Sequence, residues 1–270
     1  MTRSSSTVQA IYRYPVKGLS PESILRTSLT SGETIAGDRI YAIENGPSGF
    51  NSITPVHLSK ARFLTLMRNE RLAALQTRFN EASNVLAVHF DGREVVCGNL
   101  GTAEGRAEIE QFIALHCVDE LCGPPKVLYA PGHSFSDVAS KVVSVINLAS
   151  VAALENAVGG PVNPLRFRAN IHVAGWPAWH EFDLVGREIF IGTSARLKIT
   201  GRITRCAATE VDPDSGLRNL EIPKALLLAY GNIAFGVYAT VTAGGEIAVG
   251  DSIRAAPARS SGLERGRRRT

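Results

Sequence analysis

The spacing of apolar and polar positions divides the chain into short elements. VQAIYRYPVKGLS predicts a strand that runs into a turn at residues 15–19, and DRIYAIE predicts another strand over 38–44. Residues 45–56 are rich in turn formers and read as a loop. In SKARFLTLMRNE, Phe63, Leu64 and Met67 recur at helical spacing behind Ser59, so a helix capped by Ser59 is expected. VLAVHF and REVV flank Asp91-Gly92, which suits the left-handed backbone of a type I′ turn and predicts a hairpin. RAEIEQFIALHC predicts an amphipathic helix through Ile109, Phe112, Ile113 and His116, with Cys117 closing it as a buried residue.

The Pro/Gly-rich stretch CGPPKVLYAPG marks an internal boundary, giving segments 1–122 and 123–254. KVVSVINLA is a continuous apolar run suited to a buried strand. It feeds a helix, SVAALENAVGG, that ends at Gly159. NPLRFRANIHV, EIFIG, ARLKIT and ITRCAATEV are β-rich, and EIPKALLLAYG is a helix with Pro223 in its first turn and Gly231 at its end. FGVYATV, TAGG and EIAVGDSI predict a closing hairpin. Strands and helices do not alternate strictly, which disfavours a doubly wound sheet. The expected class is α+β: a β-barrel-like core with flanking helices, preceded by a smaller β-rich region.

Composition changes this picture in two places. The chain has 270 residues, 20% charged and 44% apolar, which excludes disorder for its bulk, and no apolar run is long enough to span a membrane. The first residues lack the apolar core of a secretory signal, and the four cysteines form no CxxC pair, so a reduced, cytoplasmic protein is expected. The net charge is +4, but residues 252–270 hold six arginines against one glutamate. The basic character therefore belongs to a tail, residues 255–270, expected to be solvated and disordered. Nucleic acid is not an expected partner of the body of the protein.

The candidate chemistry centres on Ile203-Thr204-Arg205-Cys206. A single cysteine is most often a small buried apolar residue. Here strand alternation puts Leu197, Ile199 and Ile203 on one face and Lys198, Arg202 and Thr204 on the other, and its continuation puts Cys206 on the polar face. The adjacent Arg205 favours a thiolate, a soft donor for thiophilic metals. Asp212-Pro-Asp-Ser-Gly216 is a turn signature. In Asn163-Pro-Leu-Arg-Phe-Arg-Ala-Asn170, two arginines at i, i+2 of a strand share a face and can clamp an anion, or else lie as surface charges. Lys17 and Arg39 are further candidate cations. Zinc binding by His116, Cys117 and Cys122 is disfavoured for want of a second ligand pair.

YPVKGLSPE, GDR at 37–39, NPLRFRAN at 163–170, TRCAATEVDPDSG at 204–216 and the closing FGVYATV to GEIAVGDSI occur in the order of a MOSC-domain protein. The chain resembles the kind in which an N-terminal MOSC β-barrel region precedes the MOSC domain, which includes the amidoxime-reducing component and its bacterial relatives. The resemblance covers residues 8–254. It implies a molybdenum cofactor (molybdopterin) site, with Cys206 as the metal ligand and catalytic residue. Lys17, Gly18, Arg39, Arg168 and Asn170 then hold the cofactor, chiefly its phosphate, and Thr204 and Arg205 line it. It also implies an oxidoreductase that removes oxygen from small N-hydroxylated or N-oxygenated compounds. No residue is then required as a general acid, though Asp212 and Asp214 lie near Cys206 in sequence and are candidates for moving protons. A non-enzymatic carrier of the cofactor or of persulfide sulfur is the alternative.

The chain departs from the family pattern in places. Gly18 stands where a serine is frequent, which replaces a hydroxyl donor with a backbone N–H, and Ala169 stands where proline is frequent. No ferredoxin-like extension is read in the sequence, so electrons are expected from a separate donor protein, of reductase or ferredoxin type; with no pyridoxal-phosphate domain read either, cysteine desulfuration by this chain alone is not expected.

Overall fold

The computed structural model describes residues 6–256. Its first half contains β1 (Ser6–Arg13), β2 (Glu22–Ile24), β3 (Arg26–Leu29), β4 (Tyr41–Asn45), β5 (Gln76–Asn80), β6 (Val85–Phe90), β7 (Arg93–Asn99) and α1 (Ala103–His116). The second half contains β8 (Pro125–Tyr129), β9 (Val143–Asn147), α2 (Leu148–Val158), β10 (Ile171–Ala174), α3 (His180–Asp183), β11 (Glu188–Ile191), β12 (Ala195–Thr204), α4 (Ile222–Tyr230), β13 (Ala234–Ala243), β14 (Gly245–Ala248) and β15 (Ser252–Ala255). Apart from its first two residues, the expected tail lies outside the described residues.

Seven strands close into a barrel in the order β1-β10-β9-β13-β12-β11-β15, and β15 pairs back onto β1. Every pair is antiparallel except β9 with β10. Parallel neighbours need a long crossover, which α2 supplies. Asn147 caps α2 by accepting from the Ala149 N–H, and Gly159 ends it with φ 75°. The lumen is filled by alternate side chains, among them Val143, Val145, Ile171, Val173, Leu197, Ile199, Val237 and Val241. It is a packed core rather than a pore. The alternation expected along 197–204 holds: Leu197, Ile199 and Ile203 are buried while Lys198, Arg202 and Thr204 are exposed.

β2 adds to β1 at the barrel sheet and β3 pairs with β14, while the other first-half elements form a second layer. β4 pairs with β8, and β5, β6 and β7 form a sheet with α1 across it. The two halves exchange strands: β1 of the first half is a stave of the barrel, and β8 of the second half pairs with β4. The Asp91-Gly92 turn has φ 51° and 74°, as the hairpin requires. A third apolar cluster joins α2 to α4 around Phe167 and Phe235, whose rings stack at 3.9 Å.

Two expected elements differ. The helix expected after Ser59 is a single 3₁₀ turn at Lys60–Arg62. Ser59 does cap it, accepting from the Ala61 N–H, but the Leu64 N–H then donates to Ile43 O on β4, and an unsatisfied strand edge outcompetes helix continuation. The closing hairpin also does not form, because β14 turns away to pair with β3 and β15 returns to the barrel. No helix among the described residues is long and apolar enough to cross a membrane.

His172 sits on β10 between the lumen residues Ile171 and Val173, and its ring lies 4.8 Å from that of Tyr12. It is 4% exposed, Nε2 has no hydrogen-bond partner, and burial pushes its pKa down to about 4. The folded state resists protonating this ring more than the unfolded chain does, so stability is complete above the ordinary histidine pKa and falls as the pH drops toward 4. Urea unfolding should show a loss of about 3 kcal/mol from this group between pH 7 and 4, and His172→Phe should remove that portion of the slope.

Candidate functional site

All eight residues singled out from the sequence (Lys17, Gly18, Arg39, Arg168, Asn170, Thr204, Arg205 and Cys206) line one cavity of about 470 Å³. The cavity lies between the outer wall of the barrel and the first-half layer. Ser144 of β9, Arg202 of β12 and Tyr238 of β13 face it from one side, and Lys60, Thr65 and Met67 face it from the other.

Two turns deliver the arginines. Arg39 follows Gly37-Asp38 with φ 52°, and Arg168 follows the 3₁₀ turn Pro164–Phe167 with φ 50°. Their guanidinium carbons lie 4.8 Å and 4.3 Å from the centroid of the fully buried Tyr14 ring. Asp38 holds the first turn: it accepts from the Tyr14 N–H at 2.8 Å and pairs with Arg39 Nη1. Arg39 Nη2 donates to Arg168 O, and Arg168 Nη2 donates to Leu19 O. Burial lowers Arg168 to about 10 and raises Tyr14 to about 12. Burial would also lower Arg39, but Asp38, Tyr14 and Asp137 together outweigh it and hold it above its ordinary value.

Arg205 donates from Nε to Phe235 O and from Nη1 to Phe167 O, both at 2.8 Å. Its Nη2 is buried without a partner, and burial lowers its pKa to about 10. A buried guanidinium donor with nothing to bind is costly unless an acceptor arrives. Lys17 is 4% exposed and donates to Phe135 O at 2.8 Å and to Asp137 at 2.5 Å. Gly18 has φ 86°, and a Cβ there would stand 2.6 Å from Leu64 O, so glycine lets the wall close at this point. Asn170 lines the cavity, but its side chain is committed within the barrel wall. Oδ1 accepts from Ser144 N and Oγ, and Nδ2 donates to Tyr12 O.

β12 ends at Thr204, so the strand alternation does not itself carry through to Cys206. Arg205 N–H donates to Ile233 O, and Cys206 takes an extended conformation at the start of the turn Ala207–Glu210. The thiol is partly exposed in the cavity wall, and Lys60 Nζ lies 3.3 Å from Sγ. No sequence motif marks Lys60 or Asp137, which pairs with Lys17 at 2.5 Å and with Lys60 at 3.7 Å. Burial would raise Asp137, but Lys17, Lys60 and Arg39 outweigh it and hold the carboxyl well below its ordinary range.

Two expectations are corrected. Arg166 and Arg168 do not share a strand face, because 164–167 is a 3₁₀ turn and Arg168 is left-handed. Arg166 turns instead to Glu210 O, Asp212 and Asn219. Asp212 is taken up by that ion pair and by the Asp214 and Ser215 N–H groups, and neither Asp212 nor Asp214 lines the cavity. They are not placed to move protons there.

Seven lysine and arginine side chains line the cavity against two carboxylates, Asp38 and Asp137. The excess suits an anionic ligand, and the guanidinium forks suit phosphate oxygens. Cys206 supplies a soft sulfur donor. Among the described residues no three His, Cys, Asp or Glu side chains cluster as a metal site. One thiol is sufficient for a metal that arrives with its own organic ligand. A phosphorylated pterin carrying molybdenum fits this donor set.

The MOSC N-terminal beta barrel domain model matches residues 5–119, and the MOSC domain model matches residues 129–254. No curated protein matches the chain. Among solved structures, the YuaD protein of Bacillus subtilis is similar at 13% identity and a TM-score of 0.45, over 93% of this chain and 95% of its own. YiiM of Geobacillus stearothermophilus is similar at 19% identity and a TM-score of 0.34, over 43% of this chain and 54% of its own.

Proposed function

The chain belongs to the MOSC family, and on that premise we propose that it binds the molybdenum cofactor in the cavity at Cys206 and acts as a reductase of small N-hydroxylated or N-oxygenated compounds. The observation that carries this reading is the joining, in one cavity, of the Cys206 thiol to Lys17, Arg39, Arg168 and Arg205, which come from four separate stretches of the chain.

Arg39, Arg168 and Arg205 would hold the cofactor phosphate. Arg205 Nη2 is the donor still lacking an acceptor, and the Arg39–Tyr14–Arg168 stack keeps the other two guanidiniums from swinging away. Lys17 adds charge behind them, fixed by Asp137 and Phe135 O. Asn170 acts by locking β1, β9 and β10 together beneath the site. The sulfur of Cys206 would ligate the metal. The bound cofactor would supply two-electron chemistry coupled to removal of an oxygen atom from the substrate. A separate cytoplasmic reductase or ferredoxin-type protein would supply the electrons.

The test is turnover. Protein made in a molybdopterin-producing host should reduce an amidoxime or a hydroxylamine when given a chemical electron donor. Molybdenum-loaded protein that turns over none of several N-oxygenated substrates would count against the enzyme and leave a cofactor carrier.

A further inference from the structure

We propose that Lys60, held by Asp137, is the positioning residue that fixes the Cys206 sulfur in the cavity wall and retains the cofactor there. The inference rests on the reading that Cys206 ligates the cofactor, and it adds a residue that no motif of the sequence marks.

Lys60 Nζ lies 3.3 Å from Cys206 Sγ, and the two residues are brought together across the cavity from opposite layers of the fold. The lysine side chain is 30% exposed, so its stem is largely covered and only part of its surface meets solvent. Ser59 caps the short turn that carries it, and the Leu64 N–H anchors that turn to β4, so the ammonium springs from a fixed backbone. Asp137 then sets its direction. One carboxylate oxygen bonds Lys17 at 2.5 Å and the other faces Lys60 at 3.7 Å. A chain of contacts therefore runs from Phe135 O through Lys17, Asp137 and Lys60 to the sulfur. It joins the cationic side of the cavity to its thiol side.

A cation at this contact offsets negative charge on the ligating sulfur and restrains its rotamer. Outer partners of metal ligands commonly control affinity on the order of 10- to 100-fold. The experiment uses holoprotein from a molybdopterin-producing host, with Lys60→Met, Lys60→Arg, Asp137→Asn and, as a surface control, Lys224→Met. Molybdenum per chain is followed through repeated gel filtration, together with the sulfur-to-metal absorption band.

Lys60→Met should lose molybdenum on the order of 10-fold faster than wild type, with a shifted band. Lys60→Arg should recover most of both, Asp137→Asn should fall between, and Lys224→Met should match wild type. Wild-type retention and an unshifted band in Lys60→Met would overturn the role of Lys60 while leaving the cofactor reading intact. Wild-type protein that holds no molybdenum would overturn both.

Discussion

Asp38→Ala should destabilise the protein by about 3 kcal/mol, measured by urea or guanidinium unfolding, because it strips the counter-charge from a largely covered arginine. Asp38 is 1% exposed and does two jobs. It accepts the Tyr14 N–H at 2.8 Å and pairs with Arg39 Nη1. Alanine leaves a buried backbone donor unsatisfied and a largely covered guanidinium with only Arg168 O and the Tyr14 face to hold it. It also removes one of the two carboxylates of a cavity crowded with cations, so repulsion among them rises. Asp38→Asn keeps an acceptor for Tyr14 and should cost distinctly less. Inorganic phosphate should recover more stability in Asp38→Ala than in wild type, since an anion then replaces the missing charge. A loss below about 1 kcal/mol would mean that the Asp38–Arg39 pair does not organise this turn.

The second large effect is expected at Gly18. Its φ of 86° is disfavoured for any residue with a Cβ, and that Cβ would stand 2.6 Å from the carbonyl oxygen of Leu64. Leu64 is fully buried and its N–H is bonded to β4, so the oxygen cannot easily retreat. Gly18→Ser, the substitution toward the residue frequent in the family, should therefore cost more than about 2 kcal/mol here, as strain plus collision. Gly18→Ala should cost a similar amount, because the clash comes from the Cβ rather than the hydroxyl. Thermal unfolding of the two variants checks this. A serine variant as stable as wild type would contradict the packing described at this wall.

Much of the barrel was legible because its staves obey simple alternation. Leu197 and Ile199 point inward, and the apolar-rich KVVSVIN run is the buried stave followed by its crossover helix. The site was legible at the level of motifs: the eight residues meet in one cavity although they come from four distant stretches. Their local geometry was not. Arg39 and Arg168 reach the cavity through left-handed turns, and neither follows strand periodicity. Residues 59–67 carry helical spacing, but the Ile43 carbonyl captures the Leu64 N–H, a contact about twenty residues away that no local pattern encodes. The closing hairpin failed for the same reason, since β3 offered β14 a partner from the other end of the chain. No motif marks Lys60 or Asp137, and only tertiary contact brings them to Cys206 and Lys17.

The central claim is that the Cys206 sulfur anchors a molybdenum-bearing cofactor among these cations. Its most direct test is the molybdenum content of protein purified from a molybdopterin-producing host, wild type beside Cys206→Ser, with circular dichroism confirming that both are folded. The predicted result is close to one molybdenum per chain in wild type and about a tenth of that or less in the variant. Equal molybdenum in the two proteins, or none in wild type, would contradict the account.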